Sequence, residues 1–419
     1  MEHLKLSFNK YLPVVLLYFF FNGFLLPIGL LYTTLLTPLF LIWLARFPSF
    51  RYLWLFPAFF IPFLIAHVAG GADPDSYTRS SLLLFTVFVF AVTVYQFLLD
   101  CKSLRTLFRT LLLLNAGFVL FALLTYPIAP LRHLFWYDNQ ITPGAYAVRL
   151  KLLTYEPSYY ATLMVPFALY YYLKMTVLRL PEPGVTFLFV TIPFLLSLSF
   201  GGILGLALAL IFTLLAGYPY FFSRTVSLYL LLTGAALVAA VAVFFVVFPH
   251  NFIVIRFSNI LSGHDTSFKG RTYDAFFLGW HIAGMKSYLF GCGPGQFRQL
   301  GLELFRQYYT LPNATPDQVA IPNSLGDTLA AFGLLGVGLR LFIEVFFFFR
   351  TKVWRNYYRL SLFLFIFIYQ FTGSFLTNIA EYVIWIMAFH PALFPEFDKQ
   401  HFRRLRTARR PIKPLISGT

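Results

Sequence analysis

The sequence predicts an all-α integral membrane protein with about twelve transmembrane helices. Hydrophobic residues make up 59% of the 419 residues and charged residues only 11%, a balance outside the range of soluble globular domains. Apolar runs near the length of a membrane span, roughly 20 residues, recur from end to end. Most lysines and arginines lie in clusters between these runs, which is typical of the loops on one side of a membrane.

Twelve apolar runs define the predicted spans. The first run is not followed by a small-residue cleavage site, so we interpret it as a retained span and treat residues 1–419 as a single polytopic membrane domain. A tight Phe-Gly-Gly turn at 200–202 separates the seventh run from the eighth. The runs lie at 11–25, 27–45, 50–67, 79–98, 106–127, 157–173, 184–198, 200–217, 226–248, 324–349, 358–372 and 374–391.

Basic residues in the short loops orient the chain. An even number of spans places both termini on one side, and the excess of lysine and arginine predicts that this side is cytoplasmic. The basic tail at 392–419 then lies on the cytoplasmic side with the other clusters. The loop clusters comprise Arg46, Arg51, Lys102, Arg105, Arg109, Lys174, Arg179, Arg224, Arg350, Lys352, Arg355 and Arg359.

Ten lysines and arginines are left on the predicted external side, against the usual bias. Nine of them lie in two external segments, 128–156 and 249–323, where they indicate a bound anion; ordinary solvation of long loops is the alternative. A net charge of +16 could indicate a nucleic-acid partner. We predict none, because the sequence has no soluble basic domain that would bind nucleic acid. The ten residues are Arg79, Arg132, Arg149, Lys151, Arg256, Lys269, Arg271, Lys286, Arg298 and Arg306.

The first external segment ends in a polar motif at the start of a predicted helix. Pro157 suits the first turn of a helix, so Glu156 and Ser158 are expected at its mouth, at the membrane boundary. Glu156 either caps the positive helix end or acts as a base or hydroxyl-orienting group. The residues of this motif that we assign to substrate or anion binding are Arg149, Lys151, Ser158 and Tyr159.

The second external segment contains an amphipathic helix predicted over 271–288 and lying at the membrane interface. Arg271 is unfavourably placed at the start of a helix unless it faces a phosphate together with the free helix N–H groups. The alternative is a weak surface pair with Asp274. His281 is a candidate acid or base, or an ordinary surface residue. Asp274 and Tyr288 are candidate substrate-binding residues.

The polar start of the span at 324–349 completes the predicted site. Asn323 and Ser324 are expected to cap this helix and to bind substrate. Within the helix, Arg340 and Glu344 are four residues apart, a spacing that predicts a structural ion pair inside the membrane.

Other polar and reactive residues receive no role. Asn378 and Glu381 lie near the outer end of the last span without an assigned function. Cys101 and Cys292 fall on opposite sides of the predicted membrane, which precludes a disulfide between them. The sequence has no Cys and His cluster with metal-ligand spacing, so no metal or cofactor is predicted.

Short motifs resemble the O-antigen polymerase and O-antigen ligase superfamily of bacterial envelope glycosyltransferases. Arg149 followed by Glu-Pro-Ser at 156–158 is similar to a block found in many polysaccharide repeat-unit polymerases. Gly-Arg at 270–271 and the later Gly-Cys-Gly-Pro-Gly turn at 291–295 are similar to the large external loop of that superfamily.

The end of the same loop extends the resemblance. Asn323, followed after nine residues by Gly-Leu-Leu-Gly at 333–336, is similar to the motif that closes the loop. The chain departs from the pattern at Pro322, where ligases of the superfamily have His, and at Phe200, near a position where many relatives have Arg. The Glu-Pro-Ser block favours a polymerase over a ligase.

The resemblance implies a fold like that of the C-type membrane glycosyltransferases and a site on the external, periplasmic face of the bacterial inner membrane. It implies metal-independent, inverting transfer of a glycan from polyprenyl diphosphate to a sugar hydroxyl. Arg149 and Arg271 would hold the diphosphate, and Glu156 or His281 would orient or deprotonate the acceptor hydroxyl. The implied partners are a polyprenyl-diphosphate-linked oligosaccharide, the lipid bilayer and a chain-length regulator protein.

Two alternatives stay open. A ligase of the superfamily would transfer finished glycan to lipid A-core. A small-anion transporter or lipid flippase would instead be expected to have broken helices and ionisable groups near the middle of the bilayer.

Overall fold

The computed structural model describes residues 11–27, 30–101, 104–142, 145–177, 183–218, 247–248 and 250–401. Most of the predicted span at 226–248, the first ten residues and most of the basic tail lie outside the described residues. In the described part the chain is mostly helical, as predicted, with one two-stranded antiparallel hairpin.

The helices are numbered here in chain order. They are α1 (Leu12–Phe19), α2 (Tyr32–Leu35), α3 (Thr37–Leu44), α4 (Leu55–Ala69), α5 (Pro74–Asp100), α6 (Leu104–Leu124), α7 (Ala129–Phe135), α8 (Pro157–Val177), α9 (Pro183–Leu196), α10 (Phe200–Ala216), α11 (Phe252–Leu261), α12 (Thr266–Arg271), α13 (Tyr273–Gly284), α14 (Phe297–Leu300), α15 (Leu302–Tyr309), α16 (Ser324–Arg350), α17 (Tyr357–Tyr369) and α18 (Ile379–Phe389). The strands are β1 (Trp136–Thr142) and β2 (Ala145–Leu150).

Several helices are compatible with a membrane protein. Judged by length and composition alone, four helical stretches of the described chain could cross a bilayer, namely Pro48–Ala69, Pro74–Asp100, Leu104–Leu124 and Ser324–Arg350. Shorter apolar helices are α9, α10, α17 and α18. The membrane character of the chain is therefore supported, whereas the count of twelve spans stays a prediction.

The first two predicted spans are interrupted. The run at 11–25 forms only the eight-residue α1, and the run at 27–45 is divided between α2 and α3. Eight helical residues extend about 12 Å at roughly 1.5 Å per residue, well short of a hydrocarbon core about 30 Å thick. The buried Asn22 lies just beyond α1, where its amide donates a hydrogen bond to the Tyr159 hydroxyl.

Helix α8 lies at the centre of the molecule. Tyr160, Ala161, Met164 and Val165 all have no exposed surface, and they belong to one continuous core with side chains of α1, α5, α6, α17 and α18. The Tyr160 hydroxyl donates to Asn115 Oδ1 at 2.8 Å, which satisfies both polar groups in an apolar setting. This packing fixes the start of α8, and with it the Glu-Pro-Ser motif.

Helix α16 is not a continuous span, because its backbone reverses direction at Gly333. Gly333 has φ 63° and ψ −162°, which is not helical. Beyond the break, Arg340 Nη1 donates to Thr328 Oγ1 at 3.1 Å. In an unbroken helix these residues would be separated by about 18 Å along the axis, beyond the reach of an arginine side chain. The two halves therefore form a helical hairpin.

A loop from the second external segment fills the break. Leu334 and Leu335 N–H groups donate to the Tyr288 and Leu289 carbonyls at 2.9 and 3.0 Å. Cys292 N–H in turn donates to the Ala330 carbonyl at 2.9 Å. These bonds replace helical ones that the break removes, so the backbone polar groups stay paired away from water.

Glycines make this close contact possible. A Cβ atom on Gly333 would lie 2.5 Å from the Leu289 backbone, and one on Gly291 would lie 2.5 Å from that of Ala331. Both glycines also have positive φ. The Gly-rich turn at 291–295 thus begins in close contact with the broken helix.

The predicted external segments have more structure than expected. In 128–156, β1 and β2 pair antiparallel with Tyr137 opposite Arg149, which is an exception to the all-α prediction. The Pro-Gly step at 143–144 between two strand-like runs was an available hairpin signal. The predicted tail at 392–419 begins inside the folded body, since Phe397 is fully buried.

Candidate functional site

A small cleft lies where the start of α8, the end of α12 and the loop at 370–378 meet. It contains about 280 Å³ of empty space, part of it open to solvent. Only about 10 Å³ of this space can be occupied by the centre of a water-sized sphere, so the closed part of the cleft has room for single reacting groups and not for a whole sugar. The cleft is lined by Tyr155, Glu156, Ser158, Tyr159, Thr162, Arg271, Pro322, Tyr369, Ser374, Phe375 and Asn378.

Glu156 and Arg271 face each other in this cleft. Arg271 Nη2 lies 3.8 Å from Glu156 Oε1, and the side chains are 29% and 28% exposed. The Ser158 hydroxyl donates to the same carboxylate oxygen at 2.5 Å. A separation of 3.8 Å is beyond hydrogen-bond length, so the contact with Glu156 does not saturate the donors of the Arg271 guanidinium.

Arg149 is close enough to Glu156 and Arg271 to interact with both. Its Nε donates to the Ser197 carbonyl at 3.1 Å. Burial lowers the pKa of Arg149 to about 10; the Glu156 carboxylate opposes this shift, and the Arg271 and Arg256 charges add to it. Three arginine side chains therefore lie in this region, of which Arg256 is buried and the other two are partly exposed.

Arg256 on α11 is a third arginine of this group, to which the sequence analysis assigned no role. It is only 8% exposed, its Nε lies 3.2 Å from Asp265 Oδ2, and its guanidinium lies 4.3 Å from the centroid of the Phe200 ring. Burial lowers the pKa of Arg256, and the nearby Arg271 charge adds to the shift. Its position depends on contacts with distant residues, which the sequence pattern does not reveal.

Arg271 is the last residue of α12 rather than the start of the next helix. Thr272, with φ −110° and ψ −94°, separates α12 from α13. The sequence interpretation of Arg271 at a helix N-terminus was therefore wrong. A cation at the C-terminal end of a helix is favoured by the helix dipole, which removes the apparent conflict.

Asp274 lies outside the cleft and is fully buried. Its carboxylate accepts hydrogen bonds from the Tyr308 and Tyr309 hydroxyls at 2.7 and 3.0 Å, and Lys269 Nζ lies at 3.8 Å. Burial and this carboxylate raise the pKa of Tyr308 to about 12. The predicted alternative of an Arg271–Asp274 pair is thus replaced by contacts that tie α13 to α15.

His281 and Tyr288 are not brought to the cleft. His281 is exposed on α13, and its Nδ1 lies 2.8 Å from the Phe277 carbonyl of the same helix. A nitrogen facing a carbonyl oxygen carries a proton, so Nδ1 acts as the donor here. Tyr288 packs on Trp280 with ring centroids 4.6 Å apart. His281 does not line the cleft, and its catalytic role stays a prediction.

The other predicted binding residues divide into two groups. Ser158 and Tyr159 line the cleft, whereas Lys151 is half-buried nearby, with Nζ 3.4 Å from the Thr154 carbonyl and its pKa lowered by burial. Asn323 and Ser324 have no exposed surface and lie behind the cleft. Asn323 Oδ1 accepts from Gly326 N–H at 2.8 Å, which confirms the predicted helix cap.

The predicted ion pair of Arg340 and Glu344 is confirmed at 3.2 Å, but it belongs to a larger network. Arg340 Nε also donates to Gln370 Oε1 at 2.9 Å, and Arg340 Nη2 donates to Glu381 Oε1. Glu381 in turn accepts from the hydroxyl of Ser374, a residue of the cleft lining, at 2.6 Å. The network thus connects the helical hairpin to the cleft.

A scan of the sequence against protein-family models gives no match. A search of curated proteins gives no match either.

Proposed function

We propose that the protein is a polysaccharide repeat-unit polymerase. It transfers a glycan from polyprenyl diphosphate to the sugar hydroxyl of another lipid-linked repeat unit, on the external face of a bacterial inner membrane. The observation that supports this most directly is the contact of Arg271 with Glu156 in the cleft, although they come from different segments of the chain. Arg149 does not line the cleft, but the charges of both residues act on it. The short motifs that resemble the O-antigen polymerase and ligase superfamily carry the same residues.

The chemistry requires few groups. The bond from the anomeric carbon to the diphosphate oxygen breaks, and the diphosphate leaves with the electron pair. Because this leaving group is an anion that needs no proton, fixed guanidinium groups are sufficient to stabilise it. Arg149 and Arg271 are the proposed ligands of the diphosphate.

The acceptor hydroxyl needs a base or an orienting group. In our proposal Glu156 accepts its proton as the acceptor oxygen attacks the anomeric carbon from the face opposite the diphosphate, which inverts the configuration. The Ser158 hydroxyl, 2.5 Å from Glu156 Oε1, would hold the carboxylate in place. Substituting Glu156 by Gln keeps the shape and removes the base.

Turnover of a synthetic lipid-linked repeat unit by the purified protein tests the proposal. Wild-type protein is expected to form polymer, and Arg271→Ala to lose at least about a hundredfold in rate, the scale of removing one charge-stabilising donor. Arg298→Ala is the matched control, since Arg298 lies in the same external segment, its side chain is 55% exposed, and its ion pair with Asp317 is long at 3.8 Å. Full activity of Arg271→Ala would contradict the assignment of the diphosphate ligands.

Transport of a small anion or a lipid is the second candidate function. The specific observation in its favour is the reversal of α16 at Gly333, with the buried Arg340 on the second half, because broken helices and buried ionisable groups are typical of transporters. Proteoliposomes separate the two functions. Uptake of labelled phosphate or flipping of a labelled lipid-linked glycan, without polymer formation, would favour transport.

A further inference from the structure

The loop at 370–378 supplies a group of cleft residues that the sequence analysis left without a role. Tyr369 at the end of α17 lines the cleft together with Ser374, Phe375 and Asn378 of the loop. None of these side chains carries a charge. The cleft therefore combines one charged region, at Glu156 and Arg271, with one neutral polar region.

Ser374 adopts a backbone conformation that is costly for a residue with a side chain. Its φ is 69°, in the left-handed region that Gly and Asn adopt most readily. Such a conformation is strained and persists only where the surroundings impose it. The contacts around Ser374 must therefore hold its backbone in this conformation.

Hydrogen bonds from two sides fix the Ser374 hydroxyl. It donates to Glu381 Oε2 at 2.6 Å and accepts from Asn378 Nδ2 at 2.9 Å. Glu381 is 1% exposed and is held by the Ser324 hydroxyl at 3.1 Å and by the Arg340 guanidinium. The hydroxyl thus has its proton committed to Glu381 and one lone pair left, so it can only accept a further hydrogen bond.

The loop backbone is fixed as well. Ser324 and Leu325 N–H groups, at the start of α16, donate to the Gly373 and Gln370 carbonyls at 3.0 and 3.2 Å. Asp327 Oδ2 accepts from Leu376 N–H at 3.0 Å. The first turn of the helical hairpin therefore holds both ends of the loop, and the hairpin sets where Ser374 and Asn378 lie.

We infer that Ser374 and Asn378 form the subsite for the neutral, hydroxyl-bearing acceptor sugar, and that Glu381 and Arg340 are the residues that position it. The Ser374 oxygen can accept a hydrogen bond from one sugar hydroxyl. The second N–H of the Asn378 amide can donate to the oxygen of a neighbouring sugar hydroxyl. A phosphate, which only accepts hydrogen bonds when fully ionised, is matched by Arg271 instead. This inference rests on the proposed glycan transfer.

The test uses full-length protein in lipid nanodiscs. The donor is a synthetic polyprenyl-diphosphate-linked repeat unit at saturation, and the varied acceptor is the same repeat unit as a neutral alkyl glycoside. Ser374→Ala and Ser374→Gly are both expected to raise the acceptor KM about tenfold, the scale of one lost hydrogen bond. The KM for the donor is expected to change less than twofold.

The two substitutions separate the hydroxyl from the backbone. Gly adopts a positive φ without strain, so a Ser374→Gly enzyme that behaves like wild type would show that only the backbone matters and would overturn the subsite. Ser361→Ala is the matched control, because Ser361 is a fully buried serine of α17 whose hydroxyl bonds Thr213 at 2.9 Å. It is expected to leave both KM values unchanged.

Glu381→Gln tests the positioning role. It keeps the size of the side chain and removes the charge that Arg340 faces, and it is expected to raise the acceptor KM while the donor KM stays within twofold. A rise of both values by the same factor would indicate general loosening and contradict the inference. Wild-type protein without any turnover would contradict the proposed function itself, whereas active wild type with unaffected Ser374 variants would contradict the subsite alone.

Discussion

Two arginine–carboxylate arrangements in this molecule differ in how completely the arginine is used. Arg271 and Glu156 are 3.8 Å apart in the cleft, and each side chain is more than a quarter exposed. Arg340 bonds Glu344, Gln370, Thr328 and Glu381, and its side chain is 15% exposed. A saturated guanidinium holds structure together, whereas an unsaturated one has donors left for a ligand.

The burial of each pair leads to different energetic expectations. Removing one partner from a buried, hydrogen-bonded pair leaves the other charge buried and unpaired, which costs roughly 3–5 kcal/mol. A partly exposed pair is screened by solvent and contributes about 0–1 kcal/mol. The comparison therefore predicts that Arg340 matters for folding and Arg271 for binding.

The largest expected effect is that of Arg340→Ala on stability. It leaves Glu344 and Glu381 buried without their cation, so we expect a loss of about 3–5 kcal/mol in the free energy of unfolding. Thermal or denaturant unfolding of the purified protein in detergent measures this. Arg350→Ala, at the exposed end of the same helix, is the control and is expected to change stability by less than about 0.5 kcal/mol. Equal effects of the two substitutions would contradict a structural role for the buried network around Arg340.

Arg271→Ala is expected to have the opposite pattern, with a small effect on stability and a larger effect on anion binding. We expect it to change stability by less than about 1 kcal/mol, because Glu156 keeps its hydrogen bond from Ser158 and is partly solvated. Binding of inorganic pyrophosphate, measured by calorimetry on the same preparation, should weaken at least about tenfold, since a charge-assisted hydrogen bond contributes roughly 1.5–3 kcal/mol. A variant that unfolds as readily as Arg340→Ala would place Arg271 among the structural arginines.

The smallest expected effect is a pH dependence of the same binding. The pKa of Arg149 is lowered to about 10, so its charge is fully present at neutral pH and is lost as the pH rises through about 10. Pyrophosphate binding should weaken over that range. Arg149→Lys is expected to lose binding at a lower pH, because lysine starts from an ordinary pKa of about 10.4 and burial lowers the pKa of either cation. Superimposable pH profiles would exclude Arg149 from the anion site.

Much of the candidate site follows from local sequence. Pro157 at the start of a helix and the cap at Asn323 depend on residues within one turn, and both are found where the sequence predicts them. The spacing of four between Arg340 and Glu344 places both on one helix face and predicts their contact. Arg149 and Arg271 belong to the ten unusual cations on the predicted external side, and the resemblance to the polymerase and ligase superfamily is what implies a role for these two.

Other features could not be read from the sequence. Glu381 and Asn378 appear there as isolated polar residues of the last span, and Arg256 appears as one external cation among ten. Glu381 bonds Ser324 and Arg256 lies beside Asp265, contacts that pattern analysis does not predict. The bond from Asn378 to Ser374 spans only four residues, but its place in the cleft depends on the tertiary structure. The same limit applies to Asp274, whose tyrosine partners lie more than thirty residues away.

The sequence by itself determined the membrane class, the helical character of most of the chain and the segments that carry unusual cations, because these depend on composition and on contacts within a few residues. The tertiary structure alone decided that α16 reverses at Gly333 and which residue faces which arginine. A helical pattern fixes only neighbours three or four positions apart, whereas the contact of Arg271 with Glu156 and that of Arg340 with Glu381 join distant segments. Those contacts distinguish the partly exposed Arg271, which we propose binds the diphosphate, from Arg340, whose side chain is held by surrounding residues.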